Sequence, residues 1–269
     1  MAIGGDDVEA YVGAFSTGTS GGNLAITGVG FTPTALILSP QYYWCLGLVD
    51  SSRSGIGSVF VCDQPASTPL SRSYQQTTYP IFSKDASDTD ILRATVTSYD
   101  ADGFTINKVT SSVNIAVPFI ALKGITAVSG VATQPTSNQT QSITTGTNVP
   151  AGVLMGSFGH AASASYQTDI KMTLGGSDGT TDLSTSQMED DGLATTESNR
   201  NISNDTTLKV LAAESGNSLQ AAANVTGFGP SGFTVDWTTT DATAREWWYF
   251  MINNPGNAPR NHMMTLGVG

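Results

Sequence analysis

Chemistry at neutral pH needs a base, and this chain of 269 residues has two histidines, His160 and His262. A nucleophile is activated when such a base lies within hydrogen-bond reach of a hydroxyl or thiol. His160 sits in Gly159-His160-Ala161-Ala162-Ser163, and His262 follows Arg260 and Asn261. No Gly-x-Ser-x-Gly elbow accompanies either one, so both read as polar loop residues. The carboxylates offer little more. Asp178 with Asp182, and Glu189-Asp190-Asp191, could supply oxygen ligands to calcium. Neither group matches the twelve-residue, helix-flanked calcium loop. They read as solvated loop carboxylates, with calcium as the alternative, and otherwise no cofactor is expected. No histidine pair at helical spacing and no Cys-x-x-Cys is present. A glycosidase needs two carboxyl groups facing across a cleft, and nothing here sets such a pair. Cys45 and Cys62 lie in apolar, strand-like surroundings. They read as buried thiols, with a cross-strand disulfide open if their strands pair. The expectation is a protein that is not an enzyme.

The elements around these residues follow a pattern that appears twice. Asp102-Gly103-Phe104-Thr105-Ile106-Asn107 recurs as Ser231-Gly232-Phe233-Thr234-Val235-Asp236. Each copy leads through a polar gap into an apolar run, Ile115 to Leu122 and Trp247 to Ile252. Phe104 to Phe119 and Phe233 to Trp248 are both 15 residues apart. Upstream, Phe31 to Leu38 resembles Asn148 to Met155, and Leu36 and Leu154 are both expected to be buried. Self-similarity at a fixed period decides an architecture before any local feature does. The expected fold is all-β: two tandem antiparallel β-sandwich or jelly-roll-like domains from an internal duplication. The expected divisions are an N-terminal arm at 1–10, domains at 11–124 and 125–255, and a C-terminal tail at 256–269. Pro33 to Gly103 spans 70 residues and Pro150 to Gly232 spans 82, so the second copy carries extra chain in its middle.

Alternation of apolar and polar residues places the strands. Tyr11 to Phe15, Ala35 to Leu38, Ser58 to Cys62, Ile91 to Tyr99 and Leu208 to Ala213 read as strands. So does Leu219 to Val225, unless its alanines form one helical turn. Asp100-Ala101-Asp102-Gly103 reads as a hairpin turn, since Asp and Gly tolerate positive φ. Residues 63–90 read as a polar excursion, and so does the stretch from Glu189 to Thr206. Gly175-Gly176-Ser177-Asp178-Gly179 reads as a turn, and Thr133 to Gly146 as a loop or polar edge strand.

Charged residues make up 12% of the chain, about half the usual ~25%. The formal charge is -11, and neither half carries a basic stripe. No nucleic-acid partner is therefore expected. No run approaches the ~18 apolar residues of a membrane span, so no membrane partner is expected either. The opening Met1-Ala2-Ile3-Gly4-Gly5-Asp6-Asp7 lacks the basic start and apolar core of a signal peptide.

The aromatic closing run is the strongest candidate for contact. Strand geometry puts Trp248, Phe250 and Ile252 on one face and Trp247, Tyr249 and Met251 on the other. One face must be core. The other is covered by a neighbouring chain or domain, or is a sugar-stacking platform. Trp247, Tyr249 and Met251 are taken as the candidate interface, together with Met263, Met264 and Leu266 in the tail. An apolar tail outside both repeats is expected to dock on a neighbour, as a strand added to a sheet edge or in an apolar groove.

Several of these motifs together resemble units of tailed-bacteriophage virion structural proteins. The matching residues are Gly30-Phe31-Thr32-Pro33, Asp102-Gly103-Phe104-Thr105-Ile106 and Phe119-Ile120-Ala121-Leu122-Lys123. In the second copy they are Gly232-Phe233-Thr234-Val235 and Trp247-Trp248-Tyr249-Phe250. That copy departs at Val149-Pro150 and at Asn253-Asn254. The resemblance implies a non-enzymatic virion protein, a capsid decoration (cement) protein or a neck or tail accessory. It implies assembly in the host cytoplasm and a homo-oligomer, a trimer by analogy. Its partners would be other virion proteins such as the major capsid or tail proteins. A module of a tail or head fibre that binds a receptor or host surface glycan is the alternative.

Overall fold

A computed structural model describes residues 8–63, 70–146, 149–163, 165–190, 198–212 and 218–253. The fold is all-β, and every regular element in these residues is a strand. The first half forms β1 (Glu9–Ser16), β2 (Gly22–Thr27), β3 (Ala35–Leu38), β4 (Trp44–Val49) and β5 (Gly55–Asp63). It continues with β6 (Leu70–Gln76), β7 (Ile81–Lys84), β8 (Asp90–Asp100), β9 (Gly103–Ser111) and β10 (Ala116–Lys123). These make two antiparallel sheets, ordered β1-β10-β3-β4-β5-β6 and β2-β9-β8-β7.

The second half forms β11 (Thr126–Thr133), β12 (Thr140–Thr144), β13 (Pro150–Ser157), β14 (Gln167–Thr168), β15 (Ile170–Ser177) and β16 (Asp182–Glu189). It closes with β17 (Ser198–Ser203), β18 (Leu208–Leu211), β19 (Leu219–Gly229), β20 (Gly232–Thr239) and β21 (Glu246–Asn253). Its sheets run β11-β21-β13-β15-β16-β17 and β12-β20-β19-β18. With β14 set aside, the strand orders of the two halves are the same. β14 sits in the segment between β13 and β15, residues 158–169, whose equivalent between β3 and β4 is only 39–43. It leaves its own sheets and pairs with β6 of the first half.

Each half buries its own core between its two sheets. Phe104, Ile106, Leu92, Leu36, Leu38, Val117 and Phe119 meet in the first. Phe233, Val235, Trp237, Val153, Trp247 and Met251 meet in the second. The repeated Gly-Phe-Thr hairpin occupies equivalent places. Gly103 stands opposite Thr27, and Gly232 opposite Thr144. A side chain on Gly103 would lie 2.0 Å from the Ile26 carbonyl oxygen, and one on Gly232 1.9 Å from that of Ile143. Backbone approach this close leaves room for glycine alone. In the first copy the preceding Asp102 accepts hydrogen bonds from the amides of Gly30 (2.6 Å) and Gly28 (3.0 Å). Those two amides, Gly30 foremost, hold the Asp102 carboxyl below the usual carboxylate range.

Three stretches differ from the reading of the sequence. The stretch from 63 to 90 contains β6 and β7, and β16 and β17 bracket the start of the stretch after Glu189. These strands bury serines, Ser184 and Ser186 on the inner face and Ser71 and Ser73 on the outer one. Ser71, Ser73, Ser184 and Ser186 are all buried, so alternation was present without an apolar signal. Gly175 and Gly176 belong to β15 and not to a turn. A side chain on Gly175 would meet the Thr207 carbonyl at 1.9 Å. Leu219 to Val225 is strand, with no helical turn.

The pairing of the copies also shifts by one residue. Leu36 faces Ala121 and Val153 faces Met251; Phe119 faces Leu38 and Tyr249 faces Met155. The equivalent of Leu36 is thus Val153, as the alignment of Phe31 to Leu38 with Asn148 to Met155 has it, while the equivalent of Phe119 is Tyr249, not Trp248. A one-residue slip moves a side chain to the opposite face. Leu154, expected to be buried, is the equivalent of Ile37; like it, Leu154 faces away from its own sandwich core and is only partly buried.

Candidate functional site

The closing strand β21 settles which face is which. Trp247 and Met251 are fully buried inside the second sandwich, and Tyr249 packs there too. Tyr249 stands edge-on to Phe233, 5.5 Å away, and Trp247 lies 6.0 Å from Trp237. These three residues are therefore core, and neither an interface nor a sugar platform, because the alternation turns them toward the partner sheet. The outward face is Trp248, Phe250 and Ile252, and it is buried as well. It packs with Ala127 and Ile125 against Ala35, Leu48, Ile56 and Leu122 of the first half. The two six-stranded sheets thus press their outer faces together. Met263, Met264, Leu266, His262 and Asp191 lie outside the described residues.

Polar contacts lock this seam. The turn between β4 and β5 presents Asp50, itself buried. One carboxylate oxygen accepts the Ser52 amide (2.9 Å), the Ser52 hydroxyl (2.7 Å) and the Ser54 amide (3.0 Å). The other accepts the Ser129 amide (2.9 Å) and hydroxyl (2.7 Å) from β11. Beside it, Ser51 Oγ accepts the Ala127 amide and donates to the Thr34 carbonyl, both at 2.9 Å.

A second clasp comes from the β14 segment. Tyr166 enters a cluster with Cys45, Val59, Phe82, Tyr74 and Tyr79 of the first half. Lys84 lies over the Tyr74 and Tyr166 rings, 5.3 and 5.6 Å from their centroids. It pairs with Asp88 (2.8 Å) and Asp90 (2.9 Å). Burial works to lower the Lys84 pKa, but the hydrogen bonds it donates to the two aspartates outweigh it and hold it above the ordinary lysine value. This arrangement is structural: the charge is satisfied where it stands. Cys45 is a free, buried thiol that burial pushes up to about 11, far from the thiolate that reactivity requires. Cys62 stands opposite Ser71, and Cys45 opposite Val59, so the two cysteines do not face each other across the strands.

The residues first weighed for chemistry are dispersed. His160 Nε2 lies 2.8 Å from the Asp169 carbonyl oxygen, and burial lowers its pKa from the ordinary imidazole value. Ser163 Oγ accepts instead from Gln167 Nε2 at 2.8 Å, and no hydrogen bond joins Ser163 to His160. Asp178 is spent on the amides of Thr180 and Thr181 within its own turn. Asp182 accepts the Val225 amide, and burial raises its pKa. Among the described residues, no three His, Cys, Asp or Glu side chains converge on a point that could hold a metal.

Besides Ile202 on β17, which is 85% exposed, the open apolar surface lies on the rest of the outer face of the first sheet. One cross-strand row runs Val12, Ile120, Ile37, Leu48, Ile56. Its inner end is buried in the seam, while Val12 at the β1 end is 74% exposed and Ile120 36%. A second row on the same face runs Trp44, Phe60, Ser73, Gln167. Trp44 is exposed and stacks on Phe60, centroids 4.8 Å apart. Further along the row, from Ser73 on, lies a shallow hollow lined by Ser73, Gln75, Phe158, His160, Ser163 and Gln167. The sequence marks the Tyr42-Tyr43-Trp44 cluster but cannot show that Trp44 reaches solvent beside chain from the second half. No protein-family model matches this chain, and no curated protein sequence does.

Proposed function

We propose that this chain is a non-enzymatic structural protein of a tailed-phage virion, a capsid decoration protein or a neck or tail accessory, that acts through protein–protein contacts. The shared strand order and the equivalent Gly-Phe-Thr hairpins support an origin by internal duplication, with domains at 11–124 and 125–255. The observation that carries the reading is the uneven covering of one face. In the second half the β21 and β13 part of the same face is buried against the first, and only its ends at Val131 and Ile202 are exposed. In the first half the same face is bare at β1 and β10. β1 is also an edge strand of eight residues with one charge and no proline. Such edges invite pairing with another chain unless they are blunted.

The occupant we assign is a second copy of this chain, which continues the interface already formed at the seam. The tail at 256–269 of that neighbour supplies the strand or the apolar side chains. Two changes test this in the full chain. Val12→Glu, at an exposed position, should convert the oligomer to monomer in sedimentation velocity while leaving the melting temperature unchanged. Deleting residues 256–269 should weaken association more than it lowers the melting temperature. A wild-type chain that stays monomeric when concentrated, or an oligomer indifferent to both changes, contradicts the proposal.

A further inference from the structure

We propose that the Trp44–Phe60 pair and the hollow beside it bind a neutral saccharide. Three observations converge on one surface. Of the four tryptophans, Trp237, Trp247 and Trp248 are at most 3% exposed, while Trp44 is 37% exposed. Its ring lies within 30° of the Phe60 plane, so the pair presents a flat aromatic step on a rigid sheet. An aromatic side chain with one wet face offers apolar area at little conformational cost.

The second observation is an unmet polar group. Ser73, next in the row after Phe60, is 0% exposed and lines the hollow, yet its hydroxyl has no hydrogen-bond partner. Buried polar groups are nearly always paired, and each exception asks for an explanation. Gln75 repeats the theme. Glu246 accepts from its Nε2 at 2.7 Å and so fixes the amide, while its Oε1 is unpartnered. A bound hydroxyl can donate to that oxygen and exchange a hydrogen bond with Ser73.

The third is the absence of charge in the lining. Ser73, Gln75, Ser163 and Gln167 are neutral, and burial favours the uncharged form of His160. Phosphate or carboxylate recognition calls for Arg or Lys forks, and none lines this hollow. A pyranose matches all three features. Its C–H face stacks on the indole, and its hydroxyls meet serine and glutamine groups already held in place. The hollow is too small to enclose a drug-sized ligand. The ring therefore rests on the Trp44 step and directs one edge inward.

This goes beyond the assembly reading and stands apart from it, since Val12 lies on another row. The test titrates the full chain with maltotriose, cellotriose, chitotriose and mannotriose, read by saturation-transfer NMR and tryptophan emission. At least one sugar should bind saturably and shift the emission to the blue. Trp44→Ala should weaken that binding at least about tenfold, with an unchanged melting temperature. Trp44→Tyr should restore part of it, and Val12→Glu should leave it intact. The proposal is overturned if none of the four sugars binds, if binding survives Trp44→Ala, or if only an anionic glycan or a peptide binds.

Discussion

Phe104→Ala and Phe233→Ala should each destabilise the protein by about 3–5 kcal/mol, the range for truncating a large core aromatic. Both rings are buried and sit directly after the hairpin glycine in their own sandwich. Phe104 meets Phe119 edge-on at 5.1 Å, as Phe233 meets Tyr249 at 5.5 Å. Each ring fills a layer between two sheets whose backbones are fixed by hydrogen-bonded ladders, so collapse into the space left behind is limited. The equivalence of the two sites sets a stricter demand than either loss alone. The two costs should be similar, because burial, neighbour and backbone setting are alike. Denaturant unfolding measures both. A loss under about 1 kcal/mol at either position means that the ring is not core.

Asp50→Ala should cost about 2–4 kcal/mol through a different mechanism. No cavity of consequence is made. Instead the amides of Ser52, Ser54 and Ser129 lose a charged acceptor at once, and hydrogen bonds to a charged group contribute about 1.5–3 kcal/mol. The Ser129 pair at the seam matters most, since Ser52 and Ser54 are exposed and can turn to water. The damage falls on the seam, because Asp50, together with Ser51, holds the β4–β5 turn of one sandwich to β11 of the other. Unfolding followed by two probes should therefore lose its coincidence, with one half melting before the other. Asp50→Asn keeps one oxygen but turns an N–H₂ toward donors, and it should recover only part of the loss. A variant as stable and as cooperative as wild type shows that the seam does not depend on this turn.

Much of this organisation is written in residue alternation. Ala35 to Leu38 and Leu92, Ala94 and Val96 lie where period-2 reading puts them, and the Asp102-Gly103 turn is where it was expected. The strands that escaped notice bury serine. Nothing in Ser71 or Ser73 separates a small residue packed under a second sheet from one in a polar loop until the partner strand is known. The closing run shows another limit. Alternation sorted Trp247, Tyr249 and Met251 from Trp248, Phe250 and Ile252, but it could not say which set faced the sandwich core. Both sets are apolar because both are buried, one by its partner sheet and one by the other half. The one-residue offset between Trp248 and Phe119 comes from the connection, since 16 residues separate Phe233 from Tyr249 where 15 separate Phe104 from Phe119. The open row at Trp44, Phe60, Ser73 and Gln167 draws on β4, β5, β6 and β14. Four strands so far apart in the chain leave no local signature.

The central claim is that this chain is a resident part of a phage particle. Quantitative mass spectrometry of particles purified through a density gradient tests it most directly, with the ratio of this chain to the major capsid protein as the readout. The account predicts that the chain stays with the particles at a fixed ratio, high if it decorates the capsid and low if it sits at the neck or tail. Its absence from infectious, gradient-purified particles would contradict the account.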